Sequence, residues 1–289
     1  MLSKYQIGNF ENNKLIGERY LTINEYNEFK KSHSFILNCR QIIHLYNILV
    51  RNYNEIIDFD SDLNIILLNA DYSTINNKSK NVHIEINRLL LNYLSSFRLY
   101  VDYLQTKFSR SESLKPMVND YKNIVAECFD SSFAYRFLYK LRNYTQHIDL
   151  PIETVSLKTK RISKGNYSYS IPIYFERDSL LEKYKEWGIV KNDLEKMSKY
   201  FDLYEIMDEH FYSMKYIYSH VYSLIKGAAS PYTTFLNNLT FEYRKGLKGL
   251  CVFKSKPIYE NSKVIGENIK LQPIHLELLD YYTLEFKNK

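Results

Sequence analysis

Residues 82–108 read VHIEINRLLLNYLSSFRLYVDYLQTKF, and within them Val82, Ile86, Leu90, Tyr93, Phe97, Val101, Leu104 and Phe108 recur every three or four positions. On a helix of about 3.6 residues per turn this spacing makes one continuous apolar stripe, which has to be buried against other elements. The same texture precedes it, in Phe35, Cys39, Ile42, Ile43, Tyr46, Leu49, Val50, Tyr53, Ile56 and Ile57. The polar stretch Ser73 to Lys80 separates the two. Downstream, Ser113 to Phe129 reads as a third helix, with Pro116 tolerable in its first turn. Ser131 or Ser132 can cap a fourth helix that runs through Phe133, Phe137, Leu138 and Leu141 toward His147, before Pro151 stops it. Four successive helices with short connections predict an antiparallel bundle.

Beyond this core the texture changes. Residues 1–33 are polar and short-patterned, with a short helix expected over Ile23 to Lys31. At 153–176, Val155, Leu157 and Thr159 alternate with polar residues. Lys164-Gly165-Asn166 supplies turn chemistry, and Tyr167, Tyr169, Ile171, Ile173 and Phe175 alternate again. This predicts a β-hairpin whose second strand lies at an edge because of Pro172. Tyr204, Met207, Phe211, Met214, Tyr218, Val221 and Ile225 then step by three and four, which marks a helix-packing seam. The expected fold is mainly α. An N-terminal segment (1–33) precedes a helical bundle with the inserted hairpin (34–230), and a small mixed α/β region (231–289) follows.

Composition narrows the function classes. Of 289 residues, 45% are apolar and 25% charged, ample for a packed core and inconsistent with a disordered chain. Eight Gly and six Pro are too few for collagen-like or low-complexity architecture. The net charge of +6 suits a nucleic-acid partner without resembling a histone-like tail. Cys39, Cys128 and Cys251 are widely spaced and form no C-x-x-C pair, so each is expected to be a small buried apolar residue. No apolar run of membrane-spanning length and no leader pattern occurs, so no membrane partner is expected and the default compartment is the cytoplasm.

The chemistry-bearing stretch is Ser132 to His147, which ends in Arg142-Asn143-x-x-x-His147. With 11 Arg, 26 Asn and 7 His in the chain, chance predicts only about 0.02 matches to that pattern. Histidine gives and takes protons near neutrality, and the arginine fork matches phosphate oxygens. Together they suit attack of an RNA 2′-hydroxyl on its own 3′-phosphate, with the guanidinium stabilising the charge that gathers on the phosphorane oxygens. No metal and no cofactor are called for. Geometry constrains the idea: on a straight helix Asn143 and His147 share a face, while Arg142 and His147 lie about 140° apart. Either the helix bends or ends between them, or two copies meet across a twofold axis, which would also supply both a base and an acid. The second arrangement predicts a homodimer. Lys140, Arg142 and His147 also suit a helix C-terminus simply by their interaction with its dipole, and composition does not separate the two roles.

The Arg142-Asn143-x-x-x-His147 motif on a late helix of a bundle resembles the HEPN superfamily. The resemblance implies an all-α dimeric bundle. In active members it implies an endoribonuclease, with Arg142 and His147 as the reacting pair and Asn143 beside them. Many such members resemble toxins or effectors of anti-phage defence, which implies an antitoxin or a defence-system partner. Other members are non-catalytic RNA- or protein-binding scaffolds, the alternative reading of this chain.

Tyr144 and Gln146 are expected substrate contacts. Arg244, Lys245, Lys254 and Lys256, interleaved with Phe241, Tyr243 and Phe253, form a candidate RNA-binding segment in which rings stack on bases and cations meet phosphates. A solvated strand pair is the plainer account of that segment. Arg40, His44, Asn47 and Arg51 line one helix side. Glu205, Asp208, Glu209 and His210 cluster without a convergent third metal ligand.

Overall fold

The computed structural model describes residues 3–69, 72–163, 166–243, 249–260 and 262–287. The chain is mainly α with small antiparallel sheets. It divides into two compact units: Met1–Gln41 with Ser109–Met117 and Tyr222–Lys289, and Ile42–Phe108 with Val118–Val221.

Helix α1 (Ile23–Asn69) joins the short helix expected from Ile23 to the apolar stripe that begins at Phe35, and a capping box nucleates it. The Thr22 hydroxyl accepts from the Glu25 amide at 3.1 Å, and the Glu25 carboxylate accepts from the Thr22 amide at 2.8 Å. Nothing between Thr22 and Asn69 breaks a helix, since Gly and Pro are both absent there. Helix α2 (Tyr72–Arg110) likewise continues its backbone through the polar stretch at 73–80.

The second unit holds the predicted bundle. α1 and α2 run antiparallel, with Tyr46 meeting Tyr100 and Tyr53 meeting Tyr93. Helix α3 (Val118–Ser131) follows a single 3-10 turn at Lys115–Met117 that contains Pro116. Helix α4 (Phe133–His147) is capped by Ser132, whose side chain accepts from the Tyr135 amide. In order along the chain come strands β3 (Lys158–Ser163), β4 (Asn166–Ser170) and β5 (Tyr174–Glu176). Helices α5 (Arg177–Lys183) and α6 (Val190–Lys196), strand β6 (Tyr200–Asp202) and helix α7 (Leu203–Ala228), as far as Val221, complete the unit. The α7 seam is buried at Met207, Phe211, Met214, Val221 and Ile225. Tyr218 stacks on Tyr46 at 3.7 Å, and Phe211 stacks on Tyr53 at 3.8 Å.

The hairpin is shorter than its alternation suggested. β3 pairs with β4 only from Lys158↔Ser170 to Ser163↔Asn166. Pro172 cannot donate to a ladder, and Ile171 and Ile173 turn into the core. Tyr174–Glu176 therefore leaves the hairpin and pairs with Tyr200–Asp202 instead.

The other unit contains a four-stranded antiparallel sheet in the order β2-β1-β7-β8, formed by β1 (Lys4–Glu11), β2 (Lys14–Leu21), β7 (Leu250–Glu260) and β8 (Lys263–Pro273). The two ends of the chain thus share one sheet, with Tyr5 opposite Lys254 and Ile7 opposite Val252. Gly8 sits at a register shift, where a Cβ would lie 2.1 Å from the Ile16 carbonyl oxygen. Helices α8 (Ser230–Thr240) and α9 (Leu276–Lys287) complete the unit, joined by a 3.0 Å bond from the Asn237 amide to the Thr283 hydroxyl.

Candidate functional site

Helix α4 is anchored at its start. The Ser132 hydroxyl donates to Glu209 at 2.6 Å while accepting from the Tyr135 amide at 3.1 Å, and the same Glu209 oxygen accepts from the Ala134 amide at 3.1 Å. A carboxylate thus sits on the unsatisfied amides and the positive dipole end of α4. Ser132→Ala should cost about 1 kcal/mol in chemical denaturation, because the Tyr135 amide and Glu209 both lose a partner.

One side of α4 is core. Ala134, Tyr135, Phe137, Leu138, Leu141 and Tyr144 are all buried. Phe137 meets Phe175, Trp187 and Phe201, and Tyr144 meets Trp187 and Tyr184. Trp187 donates its indole N–H to the Leu180 carbonyl at 3.0 Å. Arg136 is committed to structure: it donates to Asp193 and to the Phe129 and Asp130 carbonyls.

Arg142 behaves differently. It is half-buried, and among the described residues its guanidinium makes no ion pair or hydrogen bond. Only its carbonyl is engaged, accepting from the Thr145 hydroxyl at 2.9 Å. Asn143 is half-buried, as the helix phase next to the buried Tyr144 requires, and the Tyr184 hydroxyl is pushed up by burial and by the Glu186 charge. Gln146 and His147 are exposed.

Helical hydrogen bonding continues past the motif, with the Ile148 amide donating to the Tyr144 carbonyl at 2.9 Å. The helix therefore neither bends nor ends between Arg142 and His147. On this unbroken helix the two side chains leave in directions about 140° apart, so a single copy does not aim both at one phosphate.

Tyr144 belongs to the core and not to a substrate-facing surface. Its ring has no exposed surface, and its hydroxyl is pushed up to about 12 by burial with no hydrogen-bond partner. At this helical position the residue faces Trp187, so it supports the motif from beneath rather than touching a substrate.

The C-terminal basic segment is only partly described, since Arg244 and Lys245 lie outside the described residues. Phe253 is buried in the sheet and has no face free for a base. Lys254 is half-buried with its ammonium 5.4 Å from the Tyr5 ring centre, while Lys256 is exposed. β7 lies between β1 and β8, so these residues belong to a paired strand. Arg40, His44, Asn47 and Arg51 are exposed along α1.

The acidic cluster on α7 has structural uses. Asp208 accepts from the Tyr53 hydroxyl at 2.5 Å, and Glu209 serves α4. His210 is fully buried, bonded through Nδ1 to the Tyr93 hydroxyl at 2.7 Å, stacked on Tyr135 and edge-on to Phe97. Among the described residues no group of His, Cys, Asp and Glu could hold a metal ion. The three cysteines are buried and unpaired, and no described helix is long and apolar enough to cross a membrane.

His210 has a measurable consequence. Burial depresses its folded pKa to about 3, below the ordinary histidine value of 6.5. The neutral form is the one the fold holds, so its stabilising contribution is complete above about 6.5 and is lost as the pH falls toward 3. The slope is about 1.4 kcal/mol per pH unit. Burial lowers His33 in the same direction, so the diagnostic quantity is a difference. His210→Phe should show a shallower loss of unfolding free energy between about pH 6 and 4.5 than the wild type.

Comparison with protein-family models, curated proteins and solved structures finds no match.

Proposed function

We propose that this chain is a metal-independent endoribonuclease of the HEPN type, acting as a homodimer in a toxin or anti-phage role. The observation that carries the reading is the contrast on α4. Every apolar residue of its inner stripe and Arg136 are bound into the fold, whereas Arg142 keeps a guanidinium uncommitted among the described residues and His147 stands exposed one turn beyond Asn143. A half-buried arginine without a carboxylate is poised for an external anion, and the R-N-x-x-x-H pattern is rare by chance.

The divergence of Arg142 and His147 on one helix is met by a second copy, so that the motif of one protomer completes that of its partner. In the reaction the RNA 2′-oxygen forms a bond to the adjacent phosphorus while the bond from phosphorus to the 5′-oxygen breaks. One imidazole takes the 2′-hydroxyl proton, the other protonates the departing 5′-oxygen, and Arg142 meets the charge on the phosphorane oxygens. The products are a 2′,3′-cyclic phosphate and a 5′-hydroxyl.

The test is incubation of the purified full chain with RNA in excess EDTA. Cleavage leaving cyclic-phosphate ends is expected. Cleavage that EDTA abolishes, or that leaves 5′-phosphates, defeats the reading.

A further inference from the structure

The β3–β4 ribbon is basic and carries no acid. From Thr154 to Phe175 the chain contains Lys158, Lys160, Arg161 and Lys164 and not one Asp or Glu. Every residue of β3 is exposed, as are Tyr167 and Ser170 on β4. A two-stranded ribbon with so little burial is marginally stable by itself in water, so its exposed surface is not there to build a core.

The register sorts its side chains onto two faces, because opposite residues of an antiparallel pair point the same way. Lys158 lies opposite Ser170, and Lys160 opposite Ser168. This face presents two ammonium groups over small hydroxyl side chains. Thr159 lies opposite Tyr169, and Arg161 opposite Tyr167. That face carries the Arg161 guanidinium and the exposed Tyr167 ring, with the Tyr169 ring beside them half-buried. Alternate residues of a strand stand about 6.8 Å apart, on the scale of neighbouring phosphates in an extended nucleic-acid strand.

The cations are also not neutralised locally. Lys158 lies over the Tyr174 ring at 5.3 Å, and among the described residues neither it, Lys160 nor Arg161 pairs with a carboxylate. The acids at the ribbon's root are already engaged, Glu153 by Lys183 and Glu176 by Lys199.

We infer that the β3–β4 ribbon is a binding arm for single-stranded nucleic acid, with Lys158 and Lys160 on phosphates and Tyr167 and Arg161 on bases. Rings and cations on alternating positions of an exposed, acid-free element supply both the stacking and the charge that unpaired strands need. An anionic membrane would use the charge but not a tyrosine held on the face opposite the lysines. The inference deepens the reading of α4 by naming where the substrate strand is held, and to that extent it rests on RNA being the ligand.

The experiment measures binding of a short labelled single-stranded RNA to the full chain by fluorescence anisotropy across a salt series. The chain carries His147→Ala so that turnover does not enter. Lys158→Ser with Lys160→Ser should weaken binding about tenfold or more at low salt and reduce the slope of log affinity against log salt by about 1.4. Tyr167→Ala should weaken it roughly 5- to 100-fold with the slope unchanged. Circular dichroism should show both variants folded, and photocrosslinking of RNA to the 158–170 peptide in the parent chain provides a readout that needs no substitution.

Unchanged affinity in both variants together with crosslinks elsewhere overturns the inference. So does lysine-dependent binding to phosphatidylserine vesicles without binding to RNA. Because the measurement requires no cleavage, an inactive α4 and a non-binding ribbon give separate results.

Discussion

His147→Ala is expected to abolish RNA cleavage while leaving the melting curve of the protein in place. The imidazole is exposed on the last turn of α4 and makes no hydrogen bond among the described residues, so its removal exposes no cavity and orphans no partner. The effect on rate is large for a different reason. General acid–base catalysis by a placed group contributes about 10²–10⁴-fold, and in a twofold cleft the substitution removes both the base and the acid at once. Cleavage should therefore fall by at least about 10³-fold, and mixing His147→Ala with Arg142→Ala protomers separates the cases further. If paired copies share the cleft, the mixed dimer keeps one imidazole and one guanidinium and recovers part of the activity. Full activity in the His147→Ala protein would end the nuclease reading, because no other exposed histidine lies on this helix. The measurement is release of cyclic-phosphate product in EDTA, alongside thermal unfolding of the same preparation.

The largest effect on stability is expected for Phe137→Ala. Phe137 is fully buried and its ring meets Phe133, Phe175, Trp187 and Phe201 at 5.1–5.7 Å. It therefore joins α4 to the β5–β6 pair and to the Trp187 loop in one contact set. Truncating a buried phenylalanine costs about 3–5 kcal/mol, part from lost transfer energy and part from the cavity left behind. Rings are held here from several directions, so the site has little freedom to collapse and the upper part of that range is expected. The chain has a single tryptophan, 1% exposed and adjacent to the cavity, so its fluorescence reports the local loosening directly. Denaturant unfolding followed by Trp187 emission should show a lower midpoint with an unchanged slope. A loss below about 1 kcal/mol would mean that this aromatic cluster repacks freely, contrary to the dense packing of protein interiors. Retained nuclease activity in Phe137→Ala below its melting point is also expected, since Phe137 faces away from the motif.

The amino-acid sequence by itself determined the long helices, because a three-to-four residue apolar period is local information and the packing it demands has few solutions. Val82 to Phe108 is buried along the predicted stripe, and Ser132 caps α4 as its position suggested. The Arg142-Asn143-x-x-x-His147 pattern was equally legible, since its residues are contiguous on one helix. What periodicity could not reach were the partners of each group. A helix was legible from Ile23 to Lys31, where the Thr22–Glu25 capping box starts it, but not that it runs unbroken into the stripe from Phe35, since the join carries no period of its own.

Tertiary structure alone decided three matters. It put Tyr144 beneath the motif, against Trp187, while His147, three residues on in the last turn of the same helix, stays exposed. It spent Glu209 on the amides of α4 and His210 on an aromatic core, although both read as a possible acidic or metal cluster. And it joined strands from the two chain ends into one sheet, so that Phe253 is buried there while the uncovered ribbon at Lys158–Ser170 keeps its cations exposed. Burial and pairing between distant residues depend on the whole packed chain, whereas helix phase depends only on the next few side chains, and that difference in range separates what was legible from what was not.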